Sequence, residues 1–243
     1  MCYDVTSATK HKLKYAKHRR EKLEDIAALE KELDKWIQDL PAMYHVNGFA
    51  HPELLVFTQD QPYQPQIMHW GLIPSWVKNK EQAKEIANQT LNARAETLLE
   101  KASFRQAVKQ RRCVIYIDAF YEHHHLNKKT FPYHILMQDE SPMAIAGLWD
   151  EWLDKETGEV SRTLSMITTQ GNAMLAKIHN HPKASGPRMP VILPKDKQDE
   201  WLKEMTDDEL LQCIQKLLVP FDENLLQSYT VRRLKGKDAI GNI

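Results

Sequence analysis

The chain has 243 residues, of which 42% are hydrophobic and 27% are charged, a composition typical of a globular protein with a sizeable core. Lysine plus arginine and aspartate plus glutamate each number 33, so net charge by itself gives no support for nucleic-acid binding. No apolar run is long enough to span a membrane, no secretory signal is visible, and three cysteines fit a reducing compartment, so we expect a cytoplasmic protein.

The first predicted element is a long, charged helix. Between Ala8 and Leu40 the apolar residues follow three-four spacing without Gly or Pro, and Pro41 ends the run. The start of this helix is basic, with seven cations and one acid from Lys10 to Lys22. This face is either a solvated helix surface or a contact for phosphates.

Short apolar runs, bounded by Pro, Gly, Asn or charged clusters, predict strands further along the chain. They are Glu53–Thr58, Gln66–Trp70, Cys113–Phe120, Pro132–Met137, Met143–Trp149, Thr163–Thr168 and Met189–Leu193. Helical patterns occur at Ala83–Asn88, Glu96–Lys109, Asn172–Ile178 and Asp199–Leu218, the last as an amphipathic pair, and Val231–Ile243 reads as a loose tail. We expect an α+β fold, with a compact, mainly antiparallel core and flanking helices, as one domain over residues 1–243 with a charged helical insertion at about 8–40.

Cys2 directly follows Met1. A small second side chain generally permits removal of the initiator methionine, which would leave an α-amine and a thiol on one residue. The amine can condense with an aldehyde to an imine, and the thiol can then close a five-membered thiazolidine. The ordinary pKa values of both groups lie close enough to neutrality for each to be partly nucleophilic. From position alone, a chance cysteine at a disordered terminus is the simpler interpretation.

Two polar segments have either a role in catalysis or binding or a purely structural role. Asn92 precedes a predicted helix, so its amide is either an N-cap or a group that positions a nucleophile, and the neighbouring Arg94 can clamp a phosphate. Glu122 follows an apolar strand, where a carboxylate is either exposed at the strand end or buried enough to act as a general acid or base.

Histidines occur at two places of interest. His123–His125 follow the predicted strand, but consecutive strand residues point to alternate faces and no zinc-ligand spacing accompanies them, so we expect no metal site. His179 and His181 stand before another predicted strand, and each is either a solvated loop residue or an acid-base group near neutral pH.

The segment Trp70–Trp76 places two tryptophans around a turn that contains Gly and Pro. The rings either anchor the loop to the core or offer a stacking surface to unpaired bases. The pattern by itself leaves both interpretations open.

In their order and spacing, these segments resemble the SRAP family (SOS response-associated peptidase), which senses abasic sites in single-stranded DNA. The resemblance extends from Cys2 to about Asn242, nearly the whole chain. The segments that carry it are Met1–Cys2, Trp70–Trp76, Asn92–Thr97, Arg112–Cys113 with Asp118–Glu122, Ala146–Trp149, Ile178–His179 and Arg188–Pro190. It implies a barrel-like β core with flanking helices, no cofactor or metal, and a monomer.

The resemblance also implies roles for the candidate residues. Loss of Met1 would expose Cys2, which would form a thiazolidine with the ring-opened abasic sugar and shield the lesion. Asn92 would hold the Cys2 terminus, Glu122 would act as acid and base in Met1 removal and ring opening, and His179 would assist ring opening and reversal.

The implied DNA contacts lie at two places. Arg94 would bind a phosphate beside the lesion, with Thr168 and Arg188 as weaker candidates. The tryptophan loop would separate bases at a strand junction, with contacts from Trp70, Pro74, Ser75 and Trp76.

This chain departs from the family pattern close to the proposed nucleophile. The family usually begins Cys-Gly-Arg, whereas this chain has Cys2, Tyr3 and Asp4, so an acid replaces a cation that favours phosphate. Extra residues follow His179, which makes His181 a rival for its role. Two other functions stay open, an N-terminal-cysteine autoprocessing peptidase and a non-covalent module that binds single-stranded DNA.

Overall fold

The computed structural model describes residues 3–7, 31, 43–181 and 186–234. Cys2 and, apart from Lys31, the predicted helix from Ala8 to Leu40 with its basic start lie outside the described residues. Within them, no helix is long and apolar enough to cross a membrane.

The described elements alternate short strands with a few short helices. The strands are β1 (Asp4–Ser7), β2 (Met43–Asn47), β3 (Glu53–Thr58), β4 (Gln66–Trp70), β5 (Asn92–Arg94), β6 (Arg112–Ile117), β7 (Ala119–Leu126), β8 (Lys129–Met137), β9 (Met143–Leu153), β10 (Val160–Gln170), β11 (Arg188–Pro190) and β12 (Leu226–Thr230). The α-helices are α1 (Lys80–Gln89), α2 (Ala107–Gln110), α3 (Ala173–Ile178), α4 (Gln198–Leu202) and α5 (Asp207–Leu217).

Five of the strands close into a barrel. They pair in the order β10-β4-β3-β6-β9, and β9 pairs back to β10. The pairing of β10 with β4 is parallel, while the other four pairings of the ring are antiparallel. Strands β5 and β11 extend the barrel wall along β10. The predicted α+β fold with a barrel-like, mainly antiparallel core is confirmed.

A second, antiparallel sheet has the order β12-β8-β7-β1-β2. The short N-terminal strand β1 is therefore bonded on both edges. Its register pairs Asp4 with Tyr121 on β7 and with Asn47 on β2. The chain passes from the barrel into this sheet at Asp118, whose N–H donates to the Thr6 carbonyl at 2.9 Å. The predicted single strand Cys113–Phe120 is thus wrong, because Asp118 divides it between two sheets.

The barrel strands are buried on both faces. On β6, Cys113 and Ile115 pack into the core that lies against the second sheet, while Val114 and Tyr116 pack into the core beneath α4 and α5. This explains why the strand reads as a continuous apolar run.

Several sequence predictions hold and others fail for local reasons. The strands Glu53–Thr58 and Gln66–Trp70 have the predicted bounds, and the C-terminal helix pair is present as α4 and α5. The predicted helix Glu96–Lys109 is wrong, since only a 3-10 turn at Ala95–Thr97 and the single turn α2 form there.

The hairpin between β7 and β8 turns through only two residues. Leu126 pairs with Lys129, and the residues between them, Asn127 and Lys128, have φ of 49° and 61°. Both positive values are those of a type I′ turn, in which glycine is favoured at the second position. A left-handed conformation costs a residue with a Cβ about 1–2 kcal/mol, so Lys128 weakens the turn relative to glycine.

Arg112 fastens the C-terminal helices to the barrel. Its guanidinium is fully buried and donates to the carbonyls of Trp201, Val108 and Lys109, each at 2.8 Å, and to that of Lys203. These carbonyls lie at the ends of short helices, where no further helical turn supplies an N–H donor.

Replacing Arg112 by lysine should therefore leave several of these carbonyls unpaired. We expect Arg112→Lys to lower the free energy of unfolding by about 2–4 kcal/mol, measured by urea denaturation. The matched control is Arg105→Lys, at an exposed position, which should change it by less than about 0.5 kcal/mol. Equal effects of the two substitutions would contradict the role assigned to Arg112.

Asp4 fixes β1 to β2 at the start of the strand. Its Oδ1 accepts from Asn47 Nδ2 at 2.8 Å and lies 2.8 Å from His45 Nε2. Burial by itself raises the pKa of the Asp4 carboxyl, but the hydrogen bonds from His45 and Asn47 and the nearby histidines outweigh it, so the pKa is lowered. A carboxylate with a lowered folded-state pKa stabilises the fold above its unfolded-state pKa, and this contribution is lost as the pH falls through the folded value.

We expect Asp4→Asn to destabilise the protein at pH 7 by about 1.5–3 kcal/mol, because a charge-assisted hydrogen bond is lost. The difference from wild type should shrink as the pH falls below about 4, the ordinary pKa of an unfolded aspartate, and should be lost once the pH passes below the lowered folded-state pKa. Urea unfolding at pH 7 and pH 3 measures both values. The exposed Asp60→Asn serves as the control, and a difference that does not depend on pH would refute the argument.

Candidate active site

Glu122 and His179 meet beside the N-terminal strand. Glu122 lies within β7 and is 5% exposed, and one of its carboxylate oxygens, Oε2, lies 3.0 Å from His179 Nδ1. The expectation of an exposed strand-end glutamate is wrong, because β7 continues to Leu126 and buries this side chain. His179 Nδ1 has no hydrogen-bond partner in this structure, so the two side chains are in close contact without a hydrogen bond at this nitrogen.

The helix α3 determines where His179 stands. Asn172 caps the helix start by accepting from the Leu175 N–H at 3.0 Å, and His179 caps its end by donating its own N–H to the Leu175 carbonyl at 2.8 Å. Leu175 and Ile178 pack into the core between the barrel and the second sheet. This apolar face of α3 holds the histidine against β7.

His181 lies in a different environment. Its ring packs edge-on against His125, with centroids 4.6 Å apart, and the residue is exposed. Burial, together with the neighbouring histidines, lowers the pKa of His125. The geometry thus brings His179, and not His181, to Glu122.

Asn92 begins β5 and pairs in parallel with Met166 on β10. Its Oδ1 atom is buried. The expected N-cap role is wrong, because the following 3-10 turn starts only at Ala95 and Arg94 precedes it. Of its two neighbours in the chain, Leu91 belongs to the core between the barrel and the second sheet, and Ala93 belongs to the core beneath α4 and α5.

Tyr3 is the first described residue and directly precedes β1. Its carbonyl accepts from the Gly48 N–H at 2.7 Å, and its ring lies 5.1 Å from that of Phe49. In the antiparallel register of β1 with β7, Asp4 is opposite Tyr121, so the next position back brings Tyr3 opposite Glu122.

Arg188 is held within the protein by Glu96. Two guanidinium nitrogens lie 2.6 and 2.9 Å from the two carboxylate oxygens, and Nη2 also donates to the Thr168 carbonyl at 2.7 Å. The hydrogen bond from Arg188 lowers the pKa of Glu96 against the effect of burial, and Arg94 adds to this. The pair ties the turn after β5 to β11.

These contacts correct two of the expected DNA contacts. Thr168 is fully buried, so a direct phosphate contact by its side chain is wrong. Arg188 is 8% exposed and its guanidinium already binds Glu96, so its role in this structure is internal. Arg94 is exposed, on the strand directly opposite Thr168.

The tryptophan loop divides into buried and exposed residues. Trp70 is 0% exposed and its indole donates to the Leu91 carbonyl at 2.7 Å, so the expected base contact by Trp70 is wrong. Pro74 is also buried. Ser75 and Trp76 are exposed, with Trp76 at 48%, and only these two side chains of the expected wedge face solvent.

A buried carboxylate holds the exposed end of this loop. Asp150 on β9 accepts from the Ser75 N–H at 3.1 Å and from the Arg111 guanidinium. Burial raises the pKa of Asp150, and the charge of Arg111 opposes that rise.

The consecutive histidines follow the alternation expected of a strand. His124 Nδ1 lies 3.0 Å from the Lys177 carbonyl, while His123 lines a cleft with Asp4. In the described part of the chain, no three His, Cys, Asp or Glu side chains are grouped to hold a metal ion.

Sequence reasoning missed the strands β1 and β5, which position Tyr3 and Asn92. Each has only three or four residues, too few to show alternation. It also missed the partners of Asp4 on β2, for which no local signal exists.

The chain is similar to several known proteins. It is 38% identical over 168 residues, 69% of both chains, to the abasic site processing protein YoqW of Bacillus subtilis. It is 32% identical over 154 residues, 56% of this chain and 44% of the relative, to the abasic site processing protein HMCES of Xenopus tropicalis. A crystal structure of a protein from Bacteroides thetaiotaomicron superposes with a TM-score of 0.80 at 34% identity, covering 96% of this chain and 93% of that one.

The family model described as SOS response associated peptidase matches residues 5–237. This range includes both strands that flank β1, the barrel, and the residues Asn92, Glu122 and His179. The match over nearly the whole chain, together with the related fold, shows that the protein belongs to the SOS response associated peptidase (SRAP) family.

Proposed function

We propose that the protein recognises abasic sites in single-stranded DNA and captures them covalently through Cys2 after removal of Met1, which shields the lesion. Membership of the family and the names of the relatives, abasic site processing proteins, support abasic DNA as the substrate class. The observation that carries the chemistry is the buried pair of Glu122 and His179, 3.0 Å apart, beside the strand that begins at the N-terminus.

The covalent chain supports Cys2 as the nucleophile. Tyr3 lies opposite Glu122 in the strand register, and consecutive Cα atoms are about 3.8 Å apart. Cys2 is bonded to Tyr3, so in this proposal its amine and thiol react with the help of a carboxylate and an imidazole. These are the two side chains most used for proton transfer near neutral pH.

The proposed reaction balances without an oxidant or a reductant. Hydrolysis of the Met1–Cys2 bond consumes one water and leaves a free amine on Cys2. The amine adds to the C1′ aldehyde of the ring-opened abasic sugar, and loss of one water gives an imine. The thiol sulfur then bonds to the imine carbon while its proton moves to the nitrogen, which closes the thiazolidine.

Each buried group has a distinct part in this proposal. Glu122 takes the proton from the attacking water or amine and returns it to the leaving group. His179 assists opening of the sugar ring by moving a proton at its O4′ atom, and Asn92 positions the Cys2 terminus by hydrogen bonding. The activity is that of a crosslinking enzyme of lyase type with autopeptidase removal of Met1.

In this proposal, DNA is bound by the exposed residues of β5 and of the tryptophan loop. Arg94 binds a phosphate near the lesion, and Ser75 and Trp76 contact bases at the rigid end of the tryptophan loop. Arg188, Thr168, Trp70 and Pro74 support these residues from within.

Incubation with a single-stranded oligonucleotide that carries one abasic site should give a stable adduct. Its intact mass should equal that of the chain without Met1 plus the oligonucleotide minus one water, and it should survive denaturing electrophoresis. Cys2→Ala and Cys2→Ser both keep the α-amine after loss of Met1 but lack the thiol, so each should form no thiazolidine and at most an imine that hydrolyses. An undamaged oligonucleotide is the control, and equal yields from Cys2→Ala and wild type would refute the proposal.

The two histidines provide a matched test of the proton-transfer site. We expect His179→Ala and Glu122→Gln each to slow adduct formation by about 10² or more, the usual contribution of general acid-base catalysis. His181→Ala should change the rate less than about twofold, because His181 contacts His125 instead. Single-turnover rates of adduct formation measure this effect. If His181→Ala slowed the reaction more than His179→Ala, the assignment of proton transfer to His179 would be wrong.

A further inference from the structure

A cleft of about 770 Å³ lies against the second sheet. One wall is the β7–β8 hairpin with Lys128, Lys129 and Phe131, and the other is the segment after β12 with Arg232 and Arg233. The Val231 N–H donates to the Pro132 carbonyl at 3.0 Å and fastens the two walls together.

The cleft carries a strong excess of positive charge. In the described ranges 3–7, 43–181 and 186–234, no ion pair includes any of its four lysines and arginines. The acid in its lining is Asp4, whose carboxylate is bound by His45 and Asn47. An anionic ligand in this cleft would therefore contact cations that form no ion pair with the described residues. The carboxylate of Asp4 would not compete for these cations, because His45 and Asn47 already bind it.

Lys128 stands where the backbone favours glycine. It occupies the second position of the type I′ turn with a positive φ of 61°. A lysine there stabilises neither the turn nor any ion pair, so the fold does not account for this cation. A residue kept in an unfavourable conformation is an observation that points to function.

The cleft begins next to the candidate active site. Asp4 follows Tyr3, and His123 follows Glu122, so alternation along β7 turns Glu122 towards His179 and His123 towards the cleft. From His123 to its end at Leu126 the strand rises about 10 Å, which is long enough to lie along more than one nucleotide.

We propose that this cleft binds the phosphodiester backbone of the single strand that continues from the captured abasic site, with a base stacked on Phe131. The proposal rests on the proposed function for the identity of the strand. Phe131 is 38% exposed and lines the cleft together with its four cations, the combination of aromatic ring and basic groove that binds single strands without sequence preference.

The test measures binding of an undamaged, fluorescently labelled 20-mer of thymidine by anisotropy over a salt series from about 50 to 200 mM. For the full chain, Arg232→Ala/Arg233→Ala should weaken binding about tenfold at low salt. It should also reduce the slope of log affinity against log salt by about 1.4, since each phosphate contact on a single strand contributes about 0.7. Phe131→Leu should weaken binding about fivefold and leave the slope unchanged.

Lys128→Gly separates binding from folding. It creates an Asn-Gly turn, so the melting temperature should stay equal or rise, while the salt slope should fall by about 0.7. The control Lys155→Ala/Lys195→Ala removes two exposed cations that do not line the cleft, and it should bind like wild type. Wild-type affinity and slope in Lys128→Gly and in the double arginine variant would overturn the proposal.

A parallel crosslinking assay over a concentration series of abasic oligonucleotide distinguishes this proposal from the proposed function. If both proposals hold, the wild type forms the adduct and the cleft variants need a higher concentration of abasic oligonucleotide to reach half of their maximal rate of adduct formation. If wild type forms no adduct but the cleft variants still lose affinity, covalent capture fails while the cleft stands as a binding surface for single strands. If adducts form and the cleft variants bind like wild type, the cleft alone is refuted.

Discussion

The interior position of β1 in the second sheet, between β7 and β2, is the constraint on which the candidate site depends. Chain termini usually fray, but this strand is bonded to β7 on one edge and to β2 on the other. Asp4 strengthens the second edge through His45 and Asn47. As a result, the residue next to Cys2 has a determined place opposite Glu122, although its strand has only four residues.

β7 serves two surfaces because its side chains alternate. Phe120 and Glu122 face the shared core, where α3 presents His179, and Tyr121 and His123 point to the opposite face of the sheet. In our proposals, Glu122 on the core face takes part in proton transfer, and His123 on the opposite face lines the basic cleft. The departure at Asp4 from the family's usual arginine fits this division, since the cations of the cleft come from the hairpin and the C-terminal segment.

Burial separates the residues that support the site from those that can touch DNA. Trp70 and Thr168 are fully enclosed, and Arg188 binds Glu96 across the turn after β5. Thr168 pairs with the exposed Arg94 on the neighbouring strand, and Trp70 donates to the Leu91 carbonyl. A residue type that suits nucleic acid therefore identifies a candidate contact, but exposure decides whether the contact can be made.

The sequence by itself determined the strands with clear periodicity, such as Glu53–Thr58, and the fold class. It also identified Asn92, Glu122 and His179 as the candidate site, through the order of family motifs. These features depend on local patterns, which a single sequence displays. Only the tertiary structure decided which histidine approaches Glu122. The packing of α3 on the core places His179 against Glu122, while His181 contacts His125. The same holds for β1 and β5, whose backbone hydrogen bonds go to strands far away in the chain, so no local pattern records them.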